Sequence, residues 1–250
     1  MSMRFTNKDF WNQSDVIMSQ DKLTLPKLYF YEAVLLEKVP FDHRAKLRIQ
    51  VFGCGTGREI PGILEIFPNA EIIASDIADK MIEKCRHNIG KWGLGDKPIK
   101  LIVSPSEEVD EPAGSSDIVT IMNNMLTYVT PISARMKVFE NAGRILRENG
   151  YVIGVVHHRY GKPLKTLYFL FQVLIQWMPG VRLGDRLGGF FGKRIRFHYF
   201  SKGEVRMLLE GTGFQPVLIT DLKGLYASFG KNYSRWRGDN NIVFIGRKTK

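Results

Sequence analysis

The sequence predicts one α/β domain built on a doubly wound, mostly parallel sheet, and three observations carry that expectation. From Arg48 onward, short β-branched runs alternate with amphipathic stretches, the sequence form of repeated βα units. An apolar run at residues 49–52 leads directly into three alternating glycines, Gly53, Gly55 and Gly57, which punctuate a tight strand-to-helix turn. Near the end of the chain, two strand-like runs follow one another with no helical pattern between them, which predicts an antiparallel hairpin closing the sheet.

Taken in order, the aromatic-rich residues 10–40 read as one or two helices outside the sheet. Seven strands are expected, at 48–54, 71–77, 99–104, 117–123, 151–158, 214–221 and 241–248, with helices at 59–67, 78–89, 133–147 and 202–210. In the third of these helices Met136, Val138, Phe139, Ala142, Ile145 and Leu146 recur at helical spacing, and the fourth is closed by Gly211 and Gly213. The chain has 250 residues, 44% of them apolar, and no long Pro/Gly/Ser linker, so it reads as a single domain. Its expected parts are a helical N-terminal lid (1–45), the sheet core (46–158), an insertion (159–201), and a helix with the closing strands (202–250).

Composition narrows the class. The first fifteen residues lack a basic end followed by an apolar run, so no secretory signal is read and the expected location is cytoplasmic. Cys54 and Cys85 form neither a disulfide framework nor a metal-type pair, and the histidines and carboxylates lack ligand spacing, so no metal is expected. The longest apolar run, 167–178, is broken by Gln172 and Gln176 and is shorter than the roughly 20 residues that span a bilayer. The net charge of +11 is concentrated in 157–206, which holds ten Lys/Arg against only Asp185 and Glu204.

The segment Val51-Phe52-Gly53-Cys54-Gly55-Thr56-Gly57-Arg58-Glu59 carries the most chemical information. Its glycines let the backbone turn and approach a ligand, and the following helix presents free N–H groups. A dinucleotide loop would follow G-x-G-x-x-G with its third glycine at position 58; here that position is Arg and the pattern is G-x-G-x-G. This pattern resembles the nucleotide-binding loop of class I S-adenosylmethionine-dependent methyltransferases of the small-molecule type. Later segments share the resemblance: Asp76 in Ile73-Ala74-Ser75-Asp76-Ile77, 19 residues past Gly57; Ser104-Pro105-Ser106-Glu107-Glu108; Asp117 to Tyr128; and Ala142 to Ile153. It covers about 48–158 in detail and the closing hairpin in outline.

The resemblance implies a Rossmann-like seven-stranded fold and S-adenosyl-L-methionine as cofactor. It assigns the ribose hydroxyls to Asp76, a task suited to a carboxylate that accepts two hydrogen bonds. Ser106 and Glu107 are the candidates for the adenine edge, Ile77 for the adenine face, and Asn123 for the methionine part. Gly53, Cys54, Gly55 and Gly57 complete the expected cofactor-binding set.

Transfer from a sulfonium needs alignment, exclusion of water and, for some acceptors, a base. Strand ends four and five face the expected cleft, which nominates Tyr128, His157 and His158; adjacent strand residues point opposite ways, so at most one histidine should face the substrate. The chain lacks an Asp/Asn-Pro-Pro-aromatic segment after strand four and a cysteine nucleophile near it, which disfavours nucleic-acid modification.

The insertion pairs an apolar run (164–178) with a mixed aromatic and cationic half (188–200), a combination suited to an amphiphilic or anionic small molecule. Peripheral membrane contact through 164–200, a buried lid helix with a solvated rim, and a dimer interface all remain open for it. Phe5, Phe10, Trp11, Tyr29 and Tyr31 are expected to fold over the cofactor. The competing functions are RNA or protein methylation using the basic 157–206 region, and a non-catalytic cofactor-binding partner subunit.

Overall fold

A computed structural model describes residues 7–23, 25–160, 162–178, 182–190, 193–233 and 240–249. Three helices come first: α1 (Asn7–Trp11), α2 (Ser14–Leu23) and α3 (Phe30–Glu37). The core follows as β1 (Arg48–Phe52), α4 (Ile60–Ile66), β2 (Glu71–Asp76), α5 (Asp79–Lys91), β3 (Ile99–Val103), β4 (Ser116–Ile121), α6 (Ile132–Ile145) and β5 (Leu146–Val156). The insertion holds α7 (Pro163–Ile175) and a hairpin of β6 (Asp185–Phe190) and β7 (Lys193–His198). The chain closes with α8 (Lys202–Gly211), β8 (Phe214–Asp221), α9 (Leu222–Ala227) and β9 (Ile242–Lys248).

The seven-stranded sheet runs β3-β2-β1-β4-β5-β9-β8, parallel except at β9, which pairs antiparallel with both β5 and β8. The chain leaves β1 toward β3 and then returns to the other side at β4, so the switch point lies between β1 and β4. Open α/β sheets bind ligands beyond the strand ends at that point.

Alternation along the central strands builds two apolar layers. Ile49, Val51, Ile118, Ile153 and Val155 join Leu35, Ile63 and Ile82 on the face covered by α3, α4 and α5. Phe52, Val119, Ile121, Val152 and Val156 join Phe139, Ala142, Leu208 and Leu209 on the face covered by α6 and α8. Because both faces are covered, β1 and β4 read as near-continuous apolar runs. Gln50 is an exception, and its amide donates to Ser116 Oγ (3.1 Å).

Three features depart from the expectation, the first being that the N-terminal segment folds as three helices where one or two are expected. A short helix, α9, interrupts the closing pair, started by Asp221, whose side chain accepts the Gly224 N–H (2.9 Å). The cationic half of the insertion forms the β6–β7 hairpin, whose period was hidden by its glycines and charges.

A buried ion pair ties α3 to the loop after β1. The Arg58 guanidinium donates to both Glu32 carboxylate oxygens (2.9 and 2.7 Å) and to the Lys27 carbonyl (2.8 Å), while Tyr29 N–H donates to the same carboxylate. Both charged side chains are buried and the Tyr29 ring lies 4.6 Å from the guanidinium carbon. Glu32→Gln and Arg58→Met should each cost about 3–5 kcal/mol in urea unfolding, because each leaves a buried charge without its partner. The double variant Glu32→Leu/Arg58→Met should recover much of that loss; a double variant as unstable as the sum would show that the pair is not acting as a unit.

Candidate active site

Beyond β1 the backbone passes Gly53, Gly55 and Gly57 at φ of 67°, 53° and 86°. These values lie in the left-handed region that favours glycine. Each glycine also answers a different spatial demand. A Cβ on Gly53 would collide with the Met125 side chain, and one on Gly57 would meet Cys85 Sγ at 2.6 Å, so both are closed in by packing. A Cβ on Gly55 would meet no atom within 4 Å, because Gly55 borders open space.

That space is a cavity of about 860 Å³ at the switch point. Gly53 and Gly55 line it with Asp76 and Ile77 from the end of β2, Ser106 and Glu107 after β3, and Asn123, Met125 and Tyr128 after β4. Asn123 and its neighbour Asn124 take positive φ (52° and 59°), a conformation Asn tolerates better than most side chains. Cys54 lines a smaller cleft of about 20 Å³ that shares Gly53, Gly55 and Asn123 with the main cavity. Gly57 lines neither.

Asp76 fastens the glycine loop. Its carboxylate accepts the Gly55 N–H (2.9 Å) on one oxygen and the Ala78 N–H (2.9 Å) on the other. Burial pushes its carboxyl above the ordinary value, and the N–H groups of Ala78, Gly55 and Ile77 act against that shift. Each oxygen has a second lone pair to offer a ligand.

The opposite walls come from distant parts of the chain. Asn7, Phe10, Trp11 and Gln20 enter from α1 and α2, and Leu187, Arg194, Ile195 and Arg196 from the hairpin. Trp11 packs edge-on against Tyr128 (5.0 Å between centroids), and Tyr128 also meets Phe197 (5.4 Å). Lys193 Nζ bonds Gln13 and pairs with Asp15, which straps the hairpin to α2. Burial holds the Tyr128 hydroxyl well above its ordinary pKa, so it is a neutral phenol near pH 7.

The histidine candidates do not reach the cavity. His157 N–H donates to Thr127 Oγ1 (3.3 Å), its ring bonds Asn241 (3.1 Å) and it stacks on Tyr199. His158 is buried against Tyr160, and burial pushes its pKa down to about 4. Both residues lie past the end of β5, and both rings pack near the root of the insertion. Tyr29 and Tyr31 also sit elsewhere: they stack on each other beside Arg58, away from the cavity. Phe5 lies outside the described residues.

In sequence, a glutamate opening a helix reads as an exposed N-terminal charge, and nothing local marks Glu59 as different. It is buried beneath the loop at the smaller cleft, and burial, reinforced by the Glu32 charge, pushes its carboxyl up to about 8. Arg194 and Arg196 were legible only as part of a basic segment, since nothing local separates cavity-facing cations from solvated ones.

Residues 49–150 match the family model described as a methyltransferase domain. No curated protein is a significant match to the sequence. Among solved structures, a SAM-dependent methyltransferase from Methanosarcina mazei aligns over 89% of this chain and 99% of its own, with 18% identity and a TM-score of 0.68. The Burkholderia thailandensis 1,6-didemethyltoxoflavin-N1-methyltransferase, with bound 1,6-didemethyltoxoflavin and S-adenosylhomocysteine, aligns over 87% of this chain and 76% of its own (19% identity, TM-score 0.59). A geranyl diphosphate methyltransferase in complex with GPP and sinefungin aligns over 88% and 77% (15% identity, TM-score 0.60). Residues 49–150 thus carry a methyltransferase domain, and the chain shares the fold of these S-adenosylmethionine-dependent methyltransferases.

Two variants separate the glycines. Gly57→Ala should lose about 2–4 kcal/mol through left-handed strain and the clash with Cys85, whereas Gly55→Ala should lose only about 1–2 kcal/mol yet weaken S-adenosylhomocysteine binding. Equal stability losses in urea melts would refute the distinction.

Glu59 makes a prediction about pH. Its folded pKa lies above its unfolded one, so its contribution is full below pH 4.5 and is lost as pH rises through about 8. Glu59→Gln should therefore be more stable than wild type at pH 9 and converge with it near pH 5. Because His158 acts in the opposite sense between about 4 and 6.5, the difference between the two melting curves, not either curve alone, isolates Glu59.

Proposed function

We propose that this enzyme methylates a small amphiphilic molecule carrying an anionic group. The observation that carries the reading is the polarity of the main cavity. Acidic Asp76 and Glu107 stand with the glycine loop on the sheet side, and Arg194 and Arg196 stand with Leu187 and Ile195 on the hairpin side, while Phe10, Trp11 and Tyr128 supply aromatic wall. At about 860 Å³ it lies toward the upper end of the roughly 300–1,000 Å³ usual for small-molecule sites, which leaves room for an acceptor beside the cofactor.

The residues suit S-adenosylmethionine as the cofactor. Gly55 leaves open the space that a Cβ would occupy, and Asp76 faces the cavity with acceptor capacity to spare. In this reading Asp76 holds the ribose, Ser106, Glu107 and Ile77 border the adenine, and Gly53, Cys54, Gly55 and Asn123 border the methionine part. The bound sulfonium supplies an electrophilic methyl group. The aromatic wall keeps water away, and the two arginines orient the acceptor through its anionic end.

No histidine lines the cavity among the described residues, and Tyr128 stays protonated. Tyr128 therefore positions the acceptor by a hydrogen bond, and the acceptor must present its own lone pair or lose its proton to water. Support for a small-molecule acceptor also comes from the two structural relatives solved with such ligands, 1,6-didemethyltoxoflavin and GPP.

Calorimetry and initial rates test the assignment together. Asp76→Ala should weaken S-adenosylhomocysteine binding at least about tenfold. Arg194→Ala and Arg196→Ala should leave that affinity unchanged but raise KM for an anionic acceptor about 10–100-fold, with little effect on a neutral analogue. Equal losses on charged and neutral acceptors would remove the anionic group from the proposal.

A further inference from the structure

We infer that the outward face of α7, with the cations flanking it, docks this protein on an anionic membrane surface. The inference stands independently of which acceptor is methylated.

The polarity of α7 is reversed relative to an ordinary surface helix. Its inward stripe contains Lys165, Phe169 and Gln172, all buried. The Gln172 amide donates to the Asp185 carbonyl (3.0 Å) and accepts the Gly184 N–H (2.9 Å), and Lys165 Nζ lies 4.8 Å from the Tyr199 ring centroid. The outward side carries Leu164, Leu167, Leu174 and Trp177 at 85%, 66%, 69% and 79% exposure, together with Tyr168, Leu170, Phe171 and Met178. A helix facing water places its polar residues outward and its apolar stripe inward. The Trp177 indole N–H already donates to the Leu174 carbonyl (2.8 Å), so the ring presents an apolar face with its polar atom satisfied.

Length and charge identify the occupant. With 13 residues α7 is too short to cross a bilayer, and no helix among the described residues is long and apolar enough to do so. An apolar face of this length flanked by cations suits the plane of the interface. Residues 157–206 hold ten Lys/Arg against Asp185 and Glu204. Both acids turn onto His198, at 2.6 Å from Nδ1 and 2.6 Å from Nε2, and Glu204 also pairs with Arg159, while Lys193, Lys202 and Arg206 pair with Asp15, Asp221 and Glu210. Lys162 at the start of the helix, Arg182 and Arg186 are exposed, and Arg186 lies 5.3 Å from the exposed Tyr168 ring. A second copy would bring this excess of positive charge against itself, whereas anionic headgroups neutralise it. The hairpin bearing Arg186 also gives Leu187, Arg194 and Arg196 to the cavity, so docking brings the acceptor side of the site toward the lipid surface.

Co-sedimentation of the full chain with vesicles tests the inference, comparing phosphatidylcholine alone with phosphatidylcholine mixed with phosphatidylglycerol. Wild type should bind the mixed vesicles, bind the neutral ones weakly, and release as salt is raised. Leu167→Glu and Leu174→Glu should abolish binding, and Arg182→Ala or Arg186→Ala should weaken it roughly fivefold. All four positions are exposed, so unchanged S-adenosylhomocysteine affinity verifies that each variant is folded.

Wild type that ignores mixed vesicles at low salt, or binding insensitive to the two leucine variants, overturns the inference. So does a dimer in light scattering that those variants split without any vesicle binding, which would give the face to a second copy. Vesicle binding without S-adenosylhomocysteine binding would count against the methyltransferase site and leave the membrane surface standing.

Discussion

The geometry of the site depends on one hydrogen-bonded link, the Gly55 N–H to the Asp76 carboxylate, which clamps the loop after β1 to the end of β2. The loop can accept that clamp only because its three glycines take positive φ, and neighbours occupy the space that side chains would need. Met125 fills the place above Gly53, and Cys85 brings α5 against Gly57. Arg58, the next residue, then enters the protein interior and is held by Glu32 of α3. A single sharp turn thus sets the positions of the fourth-strand loop, of α5 and of the N-terminal helices.

The cavity that results is assembled from segments distant in the chain. One wall is the sheet edge, the others are α1, α2 and the β6–β7 hairpin, joined across the opening by Lys193 to Gln13 and Asp15. The hairpin is anchored at its base by the buried cluster of Asp185, His198, Glu204 and Arg159, which ties it to α8. Such an arrangement lets the insertion vary its exposed surface while its root stays fixed. Its inner wall is apolar and cationic, and the adjoining α7 faces outward with hydrophobic side chains, so one insertion presents related chemistry to the cavity and to the outside.

What was legible in the sequence follows from how local each determinant is. The parallel core was readable because strands covered on both faces must be apolar throughout, as in Ile49, Val51 and Phe52, and because α6 keeps one buried stripe through Val138, Phe139 and Ala142. The glycine loop was readable because backbone geometry restricts residue type directly. The hairpin and α9 were not readable: the first carries glycines and charges in place of an alternating pattern, and the second depends on an Asp221 cap at a strand end.

The same distinction divides the site. The sequence by itself determined that a strand, a G-x-G-x-G turn, an acid at the end of β2 and polar loops after β3 and β4 would converge, because connectivity in a doubly wound sheet brings successive strand ends to one edge. Only the tertiary structure decided which side chains face that edge. His157 and His158 were equivalent in sequence to Tyr128, yet packing against Asn241, Tyr199 and Tyr160 turns the histidines away while Trp11 and Phe197 hold the tyrosine at the cavity. The burial that raises Glu59, and the hairpin position that brings the exposed Arg194 and Arg196 to the cavity, are likewise set by residues far away in the chain. Residue type and spacing fix what a segment can do locally; orientation and solvent exclusion arise only when the distant segments meet.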